Sequence, residues 1–357
     1  MKRVLVAMSG GVDSSVAAYL LQQQGYECIG VTMKLYANEM VGLSKGHTCC
    51  SLDDVEDARN VAIRLGIPYY VFNFAADFEE KVIQKFVRSY EQGLTPNPCI
   101  DCNRYLKFER LYRRARELGC DYIATGHYAR IREANGRYEL LTALDGSKDQ
   151  SYMLCTMTQE QLAHTLFPLG ELTKTQVRQI AGEQGLRNAR KHDSQDICFV
   201  PDGDYMAFLE RYTGQPAQRG DLLDLDGNVV GSHRGAAAYT IGQRRGLGLA
   251  MGEPVYVTGK SMEQNTVTVG PNAALFSRSL RAGDWNWIAE PPAEPFHAEA
   301  KIRYRQQSQP VLVRPTETGA ELTFDAPQRA ISPGQAVVVY DGESVLGGGV
   351  ILERMDD

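Results

Sequence analysis

A short glycine-rich stretch near the start of the chain constrains the fold more than any other feature. An apolar run, Val4–Met8, precedes the sequence SGGVDSS at residues 9–15, and a second apolar run follows it. This order predicts a strand, a tight turn and a helix, because glycine tolerates positive φ and close backbone approach. The turn would then lie at a helix N-terminus, where N–H groups and the helix dipole favour an anion such as a phosphate.

The first half of the chain alternates strand-like and helix-like segments. Such alternation indicates crossover units and a parallel sheet. The predicted strands are 4–8, 28–34, 69–73 and 122–124, and the predicted helices are 14–24, 52–65, 78–91 and 108–118. Ser51 and Asp54 form a candidate capping pair for the second of these helices.

The sequence pattern changes after about Pro201. Residues 214–250 are rich in glycine, and from about 253 onward short alternating runs are broken by Gly or Pro, which is typical of a small β-barrel or sandwich. We predict an α/β protein with a parallel-sheet domain at 1–205 that contains the glycine turn, a small central domain at 206–275 and a C-terminal β-barrel at 276–357. The later strands are predicted at 255–257, 266–269, 297–304, 311–314, 321–324, 336–340 and 346–352.

Composition predicts an ordinary globular protein of a reducing compartment. Of the 357 residues, 43% are apolar and 23% charged, and no run of about 18 apolar residues suggests a membrane span. The N-terminal sequence lacks the apolar region of a secretory signal, so we expect a cytoplasmic protein whose eight cysteines are thiols, metal ligands or catalytic groups. The net charge of −6 argues against nucleic-acid binding through bulk charge but not against a local basic surface.

Two cysteine segments have features of sulfur chemistry. Cys99 and Cys102 lie in TPNPCIDCN, and Cys198 lies in DSQDICFVPDGDY. The prolines of the first segment predict an extended loop that presents Cys102 at a surface, and positions near helix N-termini favour the nucleophilic thiolate. Three other cysteines are interpreted as small buried apolar residues: Cys28, Cys120 and Cys155.

The same thiols leave a metal-bound alternative open. Cys99 and Cys102 form a CxxC pair, and with Cys198 they would supply three thiolates to an iron–sulfur cluster. The cysteines at 49–50 follow His47 and could hold zinc. A second ligand pair at the usual spacing is lacking, which favours a structural role for them.

The chain resembles the tRNA-specific 2-thiouridylases, a branch of the N-type ATP pyrophosphatases. The matching motifs run nearly end to end: MSGGVDSS, HTCCSLDDVEDA, TPNPCIDCN, ATGHYAR, SKDQSYML, KHDSQDICFVPDGDY, YTIGQRRGLG, DWNW, KIRYRQ and SPGQAVVVYDG. The resemblance implies that ATP, with Mg²⁺, adenylates the C2 carbonyl oxygen of the wobble uridine of tRNA. A persulfide, charged by a sulfur-donor protein, then replaces that oxygen with sulfur. Many family members have Asp where Cys99 stands here, so the iron–sulfur alternative stays open.

Site residues carry over from the matching motifs. By resemblance Cys198 carries the persulfide, and Cys102 is a second thiol that either releases sulfide or resolves a disulfide after transfer. The implied ATP-binding residues are Ala7, Met8, Ser9, Gly10, Gly11, Val12, Asp13, Ser14, Met33 and Gly126. The implied contacts to the tRNA anticodon loop are Asn97, Pro98, Cys99, His127, Lys148, Asp149, Gln150, Arg303, Tyr304 and Gln335.

Three hypotheses about charge and motion accompany these residues. Asp13 would repel a phosphate unless Mg²⁺ bridges the two or the carboxylate caps the helix. Cys102 and Cys198 lie far apart in sequence, so we expect a loop or lid to bring them together when tRNA binds. Basic residues that could track tRNA phosphates occur in three clusters: Lys107/Arg110/Arg113/Arg114, Arg187/Arg190/Lys191 and Arg244/Arg245.

Two other classes of function remain as alternatives. One is a pyrophosphatase-type enzyme that forms an amide or another C–N bond, but the sequence contains no N-terminal nucleophilic cysteine or glutaminase signature. The other is a noncatalytic tRNA-binding or iron–sulfur module, which would have no need of an intact SGGVDSS loop. Pyrophosphate release stimulated by tRNA would separate both from a thiolase.

Overall fold

The computed structural model of the protein describes residues 1–36, 52–191, 197–200 and 203–355, without the side chains of Leu52, Arg187 and Arg190. Within these ranges the strands form three sheets. The predicted cap at Ser51, the cysteines at 49–50 and His47 lie outside the described residues.

The first region is a parallel sheet flanked by helices. Its strands are β1 (Arg3–Ala7), β2 (Glu27–Lys34), β3 (Tyr69–Asn73), β4 (Tyr122–Ala124) and β7 (Thr165–Leu166), in the order β3-β2-β1-β4-β7. Its helices are α1 (Val12–Gln23), α2 (Leu52–Leu65), α3 (Ala75–Phe78), α4 (Gln84–Glu91), α5 (Pro98–Asp101), α6 (Leu111–Glu117), α7 (Gln159–Ala163) and α8 (Lys174–Glu183). Every pairing in this sheet is parallel, which confirms the prediction from strand–helix alternation.

Helices on both faces explain the sequence of the central strand. Val4, Leu5 and Val6 of β1 are fully buried, and such a strand has a continuous apolar run instead of an alternating one. The chain leaves β1, β2 and β4 at the same edge of the sheet, because parallel strands share the direction of their carboxyl ends. Ligands of open parallel sheets bind at this edge, and the glycine turn follows β1 there.

Two helices are longer than the sequence suggested. A π-helical stretch, Glu79–Ile83, joins α3 to α4, and a second one, Cys102–Arg110, joins α5 to α6. The second helical run therefore begins at Pro98, ten residues before the predicted start at residue 108. Proline suits the first position of a helix because its missing N–H would have no partner there.

The central region is a small sheet next to a helix. It comprises α9 (Tyr205–Thr213), β8 (Gly220–Leu223), β9 (Val229–His233), β10 (Tyr256–Ser261) and β11 (Thr266–Gly270), in the sheet order β10-β11-β8-β9. A separate apolar core fills it, with Leu222, Val257 and Val267 fully buried. The two later strands were predicted from sequence, whereas β8 and β9 were not.

The C-terminal region is a closed barrel. Its strands are β12 (Phe276–Trp287), β13 (Phe296–Lys301), β14 (Gln309–Thr316), β15 (Gly319–Arg329), β16 (Ala336–Asp341) and β17 (Ser344–Met355). They run in the order β12-β15-β14-β13-β16-β17, and β12 pairs again with β17, which closes the ring. The barrel prediction is thereby confirmed.

The barrel and the first region share both a sheet and a core. A hairpin of the first region, β5 (Arg130–Ala134) and β6 (Arg137–Leu141), extends the barrel sheet by pairing β6 with β17. Val338 and Tyr340 of β16 belong to the same apolar core as Phe108 of the first region. Within the described residues, no helix is long and apolar enough to cross a membrane.

Candidate active site

The glycine turn presents unpaired N–H groups at the start of α1. Gly11 is the N-cap residue, and no side chain caps the helix. Within the described residues, the N–H groups of residues 11–14 donate to no acceptor of the chain. Gly10 has φ +76°, and a Cβ at that position would lie 2.3 Å from the carbonyl oxygen of Asp54. Only glycine fits there, and N–H donors without a partner among the described residues suit an anion.

Asp13 is neutralised by protein groups. Lys174 Nζ donates to its two carboxylate oxygens at 2.8 and 2.7 Å, and the hydroxyl of Tyr128 donates to Oδ1 at 2.8 Å. The Lys174 side chain is only 11% exposed. The carboxylate does not cap α1, and a lysine from α8 supplies a positive charge beside it.

Gly126 and Met33 lie at the same edge of the sheet as the turn. A Cβ on Gly126 would come within 2.7 Å of the Ser14 nitrogen, so the backbone after β4 packs directly against the start of α1. Met33 lies near the end of β2 and is half-buried. The turn, Gly126 and Met33, which were grouped as ATP-binding residues by resemblance, thus surround one end of the sheet.

His127 is a buried neutral histidine next to this edge. It is 8% exposed, its Nδ1 lies 2.6 Å from Thr125 Oγ1, and its Nε2 lies 3.3 Å from Lys107 Nζ. Burial, reinforced by the Lys107 charge, holds the pKa of His127 well below its ordinary value. The Lys107 ammonium can only donate, so Nε2 is the acceptor and Nδ1 carries the proton toward Thr125.

The first thiol segment is the start of a helix. Asn97 caps α5 by accepting a hydrogen bond from the Cys99 N–H at 3.2 Å. Cys99 is exposed, whereas Cys102 is half-buried and packs against the main apolar core. The expected surface position therefore belongs to Cys99, because a cap and a proline convert the predicted loop into a helical turn. Cys102 opens the π-helical stretch, a conformation that is frequent at functional sites.

The main chain at Cys198 is anchored to the sheet edge. The buried hydroxyl of Tyr36, just beyond β2, donates to the carbonyl oxygen of Cys198 at 2.7 Å. The next residue, Phe199, is 1% exposed and packs edge-on against Phe86 with ring centroids 5.1 Å apart. Cys198 itself is half-buried and contacts the same apolar core as Cys102.

The three candidate thiols differ from the other described cysteines. Cys28, Cys120 and Cys155 are at most 3% exposed, which confirms their interpretation as buried apolar residues. Burial raises the pKa of Cys28 to about 11 and that of Cys155 to about 12, so both stay protonated. Within the described ranges, no group of three or more His, Cys, Asp or Glu side chains is arranged to hold a metal ion.

The barrel holds the segment that leads into α5. Gln335 Nε2 donates to the carbonyl oxygen of Thr95 at 2.8 Å, and the Thr95 N–H donates to the carbonyl oxygen of Pro333 at 2.9 Å. Between them, Gly334 has φ +90°, and a Cβ there would lie 2.7 Å from the Thr95 nitrogen. Gln335 thereby lies next to the segment that leads into residues 97–99, although Thr95 and Gln335 are 240 residues apart in sequence.

Three other predicted tRNA contacts, Lys148, Asp149 and Gln150, lie in one loop of the first region that also approaches the barrel. Asp149 Oδ1 accepts hydrogen bonds from the N–H groups of Ala143 and Ser151 at 3.0 and 3.2 Å, so its carboxylate shapes the loop. Gln150 Oε1 accepts from the N–H of Tyr128 at 3.0 Å, which ties the loop to the residue that binds Asp13. Lys148 is half-buried in the same loop.

The barrel contributes the last two predicted contacts. The Tyr304 ring centroid lies 6.0 Å from that of Tyr152. Burial, and secondarily the Asp149 charge, raises the pKa of Tyr304. Arg303 donates to the carbonyl oxygen of Ala330 at 2.7 Å, and burial lowers its pKa.

The basic clusters are less available than the sequence suggested. Arg110 pairs with Asp77 at 3.2 Å, Arg113 lies 3.8 Å from Glu109, and Arg114 pairs with Glu117. Lys191 pairs with Asp54 at 2.6 Å and with Asp57 at 2.8 Å. Arg244 and Arg245 are exposed, and Arg244 lines a surface cavity of about 420 Å³ in the central region. That cavity contains none of the candidate site residues.

Sequence reasoning missed the side chains that hold the turn and Cys198. Lys174, Tyr128, Asn188 and Tyr36 make contacts over 115 to 178 residues of sequence. None of the four was assigned a role from the sequence, because no local pattern identifies its distant partner. Tyr128 lies in ATGHYAR, two residues after Gly126, which is the one signal that could have drawn attention to it.

The fold and turn define a HUP-domain protein with two further domains. The family model for the tRNA methyl transferase HUP domain matches residues 2–202. The tRNA methyl transferase PRC-barrel domain matches 206–271, and the aminomethyltransferase beta-barrel domain matches 277–351. The fold class predicted from sequence is confirmed, while the domain boundaries stay a prediction.

Curated relatives cover nearly the whole chain. The tRNA-specific 2-thiouridylase MnmA of Desulforamulus reducens is 54% identical over 98% of this chain and 97% of that protein. Those of Geotalea uraniireducens and Clostridioides difficile are 52% and 49% identical, over 98% and 99% of this chain and 95% and 99% of theirs. The chain belongs to the tRNA-specific 2-thiouridylase family. This membership confirms the family predicted from the motifs and, with it, the enzyme class of a tRNA sulfurtransferase.

Proposed function

We propose that this protein uses ATP to replace the C2 oxygen of the wobble uridine of tRNA with sulfur. The observation that carries the proposal is a row of contacts between the candidate nucleotide turn and the candidate tRNA segments. Asp13 contacts Tyr128, Tyr128 contacts Gln150, and the loop of Gln150 reaches the barrel through Lys301 Nζ, 3.8 Å from Asp149. Family membership supports the substrate, and the unpaired N–H groups of residues 11–14 support a phosphate.

The first chemical step activates the uracil oxygen. The C2 oxygen attacks the α-phosphorus of ATP, pyrophosphate leaves, and an adenylated uridine results. The turn would hold the pyrophosphate end, since its N–H groups stabilise negative charge as it develops there. Mg²⁺ would arrive on the triphosphate, because magnesium in nucleotide sites keeps several waters and is bound largely through substrate phosphates. The described residues themselves do not form a set of metal ligands.

The second step delivers sulfur from a persulfide on Cys198. In one route the Cys102 thiolate attacks the Cys198 sulfur and releases sulfide, which displaces AMP from C2. In the other, the outer sulfur displaces AMP first, and Cys102 then attacks Cys198 to free the thiouridine. Both routes leave a Cys102–Cys198 disulfide, which a thiol reductant must reduce before a donor protein supplies the next persulfide.

Nucleoside mass spectrometry tests the proposal. Unmodified tRNA is incubated with the protein, ATP, Mg²⁺, a persulfide donor and a thiol reductant, beside a reaction without ATP. We expect 2-thiouridine only in the complete reaction, with AMP and pyrophosphate formed in step with it. Methylated uridine in place of thiouridine would contradict the proposal. Thiolation that requires anaerobically reconstituted iron and sulfide would replace the persulfide role with a cluster on Cys99, Cys102 and Cys198.

A further inference from the structure

One buried side chain holds the glycine turn from behind. Asn188 lies in the 3₁₀ turn Arg187–Arg190 and is 4% exposed. Its Nδ2 donates to the carbonyl oxygens of Gly10 and Gly11, each at 3.1 Å, and to Ser15 Oγ at 2.7 Å. The fold brings these partners together over more than 170 residues of sequence.

The identity of the facing atom follows from its partners. Carbonyl oxygens only accept hydrogen bonds, so the amide nitrogen of Asn188 must face Gly10 and Gly11. The amide oxygen is buried, and it has no hydrogen-bond partner among the described residues. Leaving a buried acceptor unpaired costs stability. The favourable hydrogen bonds of the Asn188 amide are therefore those that its nitrogen donates.

These contacts set the direction of the neighbouring N–H groups. In a trans peptide the C=O and N–H bonds point in opposite directions, and the described chain contains no cis peptide. The peptide unit of the Gly10 oxygen carries the N–H of Gly11, and that of the Gly11 oxygen carries the N–H of Val12. Since Asn188 draws both oxygens toward itself, both N–H groups point away from it. Successive N–H groups directed to one side form an anion-binding concavity.

Among the described residues, Asn188 is the side chain that binds both carbonyl oxygens; the hydroxyls of Ser14 and Ser15 donate only to that of Gly11, at 3.1 and 2.9 Å. Helix N-termini are commonly held by a Ser, Thr, Asp or Asn side chain at the N-cap position, but here the N-cap residue is Gly11. Lys191 Nζ lies 3.4 Å from the Gly10 oxygen, yet its shorter contacts are to Asp54 and Asp57. Asn188 acts differently from a cap: it donates to carbonyl oxygens and leaves the N–H groups of the turn available to a ligand.

We propose that Asn188 is a positioning residue for the phosphate end of ATP: it orients the Gly11 and Val12 N–H groups toward the ligand without touching it. This inference rests on the proposed function, because it assumes that the turn holds a nucleotide polyphosphate. The residue sets phosphate affinity specifically, so its removal changes binding of the phosphates and leaves recognition of the adenosine part intact.

Calorimetry with three probes on the full-length protein tests the inference. The variants are Asn188→Leu, which keeps the volume and removes the donor, and Asn286→Leu as a matched control. Asn286 also bridges two carbonyl oxygens, those of Cys155 and Met157 at 2.8 and 3.0 Å, but none of its contacts involves the turn. For Asn188→Leu we expect roughly tenfold weaker binding of ATP and of pyrophosphate, a loss of about 1.4 kcal/mol, and unchanged binding of adenosine. The control should match the wild type with all three.

Each outcome decides between the two proposals. If wild-type protein binds ATP and Asn188→Leu binds it equally well, the role of Asn188 is refuted and the proposed function stands. Equal losses for ATP and adenosine would reveal a general structural role and also refute it. If the wild type binds neither ATP nor pyrophosphate, the proposed function falls together with the inference. Should Asn188→Leu fail to fold, Asn188→Asp replaces it, because this isosteric change turns the donor into an acceptor and should weaken ATP binding further.

Discussion

The glycine turn and the thiol segments are held in different ways. Long side chains from distant parts of the first region hold the turn: Lys174 and Tyr128 bind its carboxylate, and Asn188 binds its carbonyl oxygens. The thiol segments are held by contacts to their main chain. Gln335 of the barrel binds the Thr95 carbonyl at the start of the first segment.

This difference predicts how each region responds to mutation. A carboxylate beside a polyphosphate has a large effect when it loses its positively charged partner, because the remaining hydroxyl contact is neutral. Main-chain anchoring is spread over several weaker contacts, so losing one of them has a smaller effect. The reacting atoms themselves are an exception, since no neighbouring group can replace a nucleophilic sulfur.

Replacing the sulfur of Cys198 should have the largest effect. We expect Cys198→Ser to abolish formation of 2-thiouridine while the dissociation constant for ATP stays at the wild-type value, because an alcohol cannot carry a persulfide. Mass spectrometry of tRNA nucleosides and calorimetry with ATP measure the two quantities. Cys120→Ala is the matched control: its thiol is buried with a raised pKa, and its removal should leave thiolation intact. Equal loss in both variants would assign the effect to folding.

Removing the partner of Asp13 should have the next largest effect. Lys174→Met leaves the carboxylate uncompensated next to the triphosphate, and breaking such a partly buried pair typically costs a few kcal/mol. We expect ATP to bind about a hundredfold more weakly by calorimetry. The double variant Asp13→Asn with Lys174→Met should regain part of this loss, because the repelling charge is gone. An unchanged affinity in Lys174→Met would show that the charge of Asp13 does not face the ligand.

Local patterns predicted most of the parallel sheet. β3 and β4 have the bounds read from sequence, because short apolar runs between turn signals determine them. The first residues of α5 were missed because Thr95-Pro96-Asn97-Pro98 has the composition of a loop. The second proline instead occupies the first turn of a helix that Asn97 caps.

The other misses depend on contacts between distant segments. β12 was not predicted, since Asp284 with φ +44° and three register shifts interrupt its alternation, and pairing with both β15 and β17 stabilises it. The lysine that neutralises Asp13 lies 161 residues away on α8. A sequence pattern records the local period of apolar residues and the conformational preferences of the chain, but it does not record which distant charge will meet which.

A single main-chain anchor tests the thiol side of the comparison. Tyr36→Phe removes only the hydroxyl that donates to the Cys198 carbonyl. A neutral hydrogen bond contributes about 1 kcal/mol, so we expect the rate of thiolation at saturating ATP to fall about fivefold with unchanged ATP affinity. Tyr212→Phe is the control, because its hydroxyl bonds to Glu79 at 3.3 Å. An unaltered rate in Tyr36→Phe would mean that this anchor does not position the thiol.

The smallest effect at neutral pH concerns His127, the buried residue that follows Gly126. Its pKa is held well below the ordinary value near 6.5, chiefly by burial. Below pH 6.5 the unfolded chain therefore binds a proton that the folded chain does not. As the pH is lowered, the free energy of unfolding decreases until the pKa of His127 in the folded protein is reached. One such proton contributes a slope of at most about 1.4 kcal/mol per pH unit.

Urea unfolding across this pH range checks the sign. His127→Asn keeps a donor for Thr125 and removes the titration, so its free energy of unfolding should depend less steeply on pH below 6.5 than that of the wild type. His297→Asn, at an exposed position of the barrel, should leave the slope unchanged. A steeper slope in His127→Asn would mean that the folded protein holds His127 in its charged form. The assigned hydrogen bond from Lys107 to His127 Nε2 would then be wrong, because two cations would face each other there.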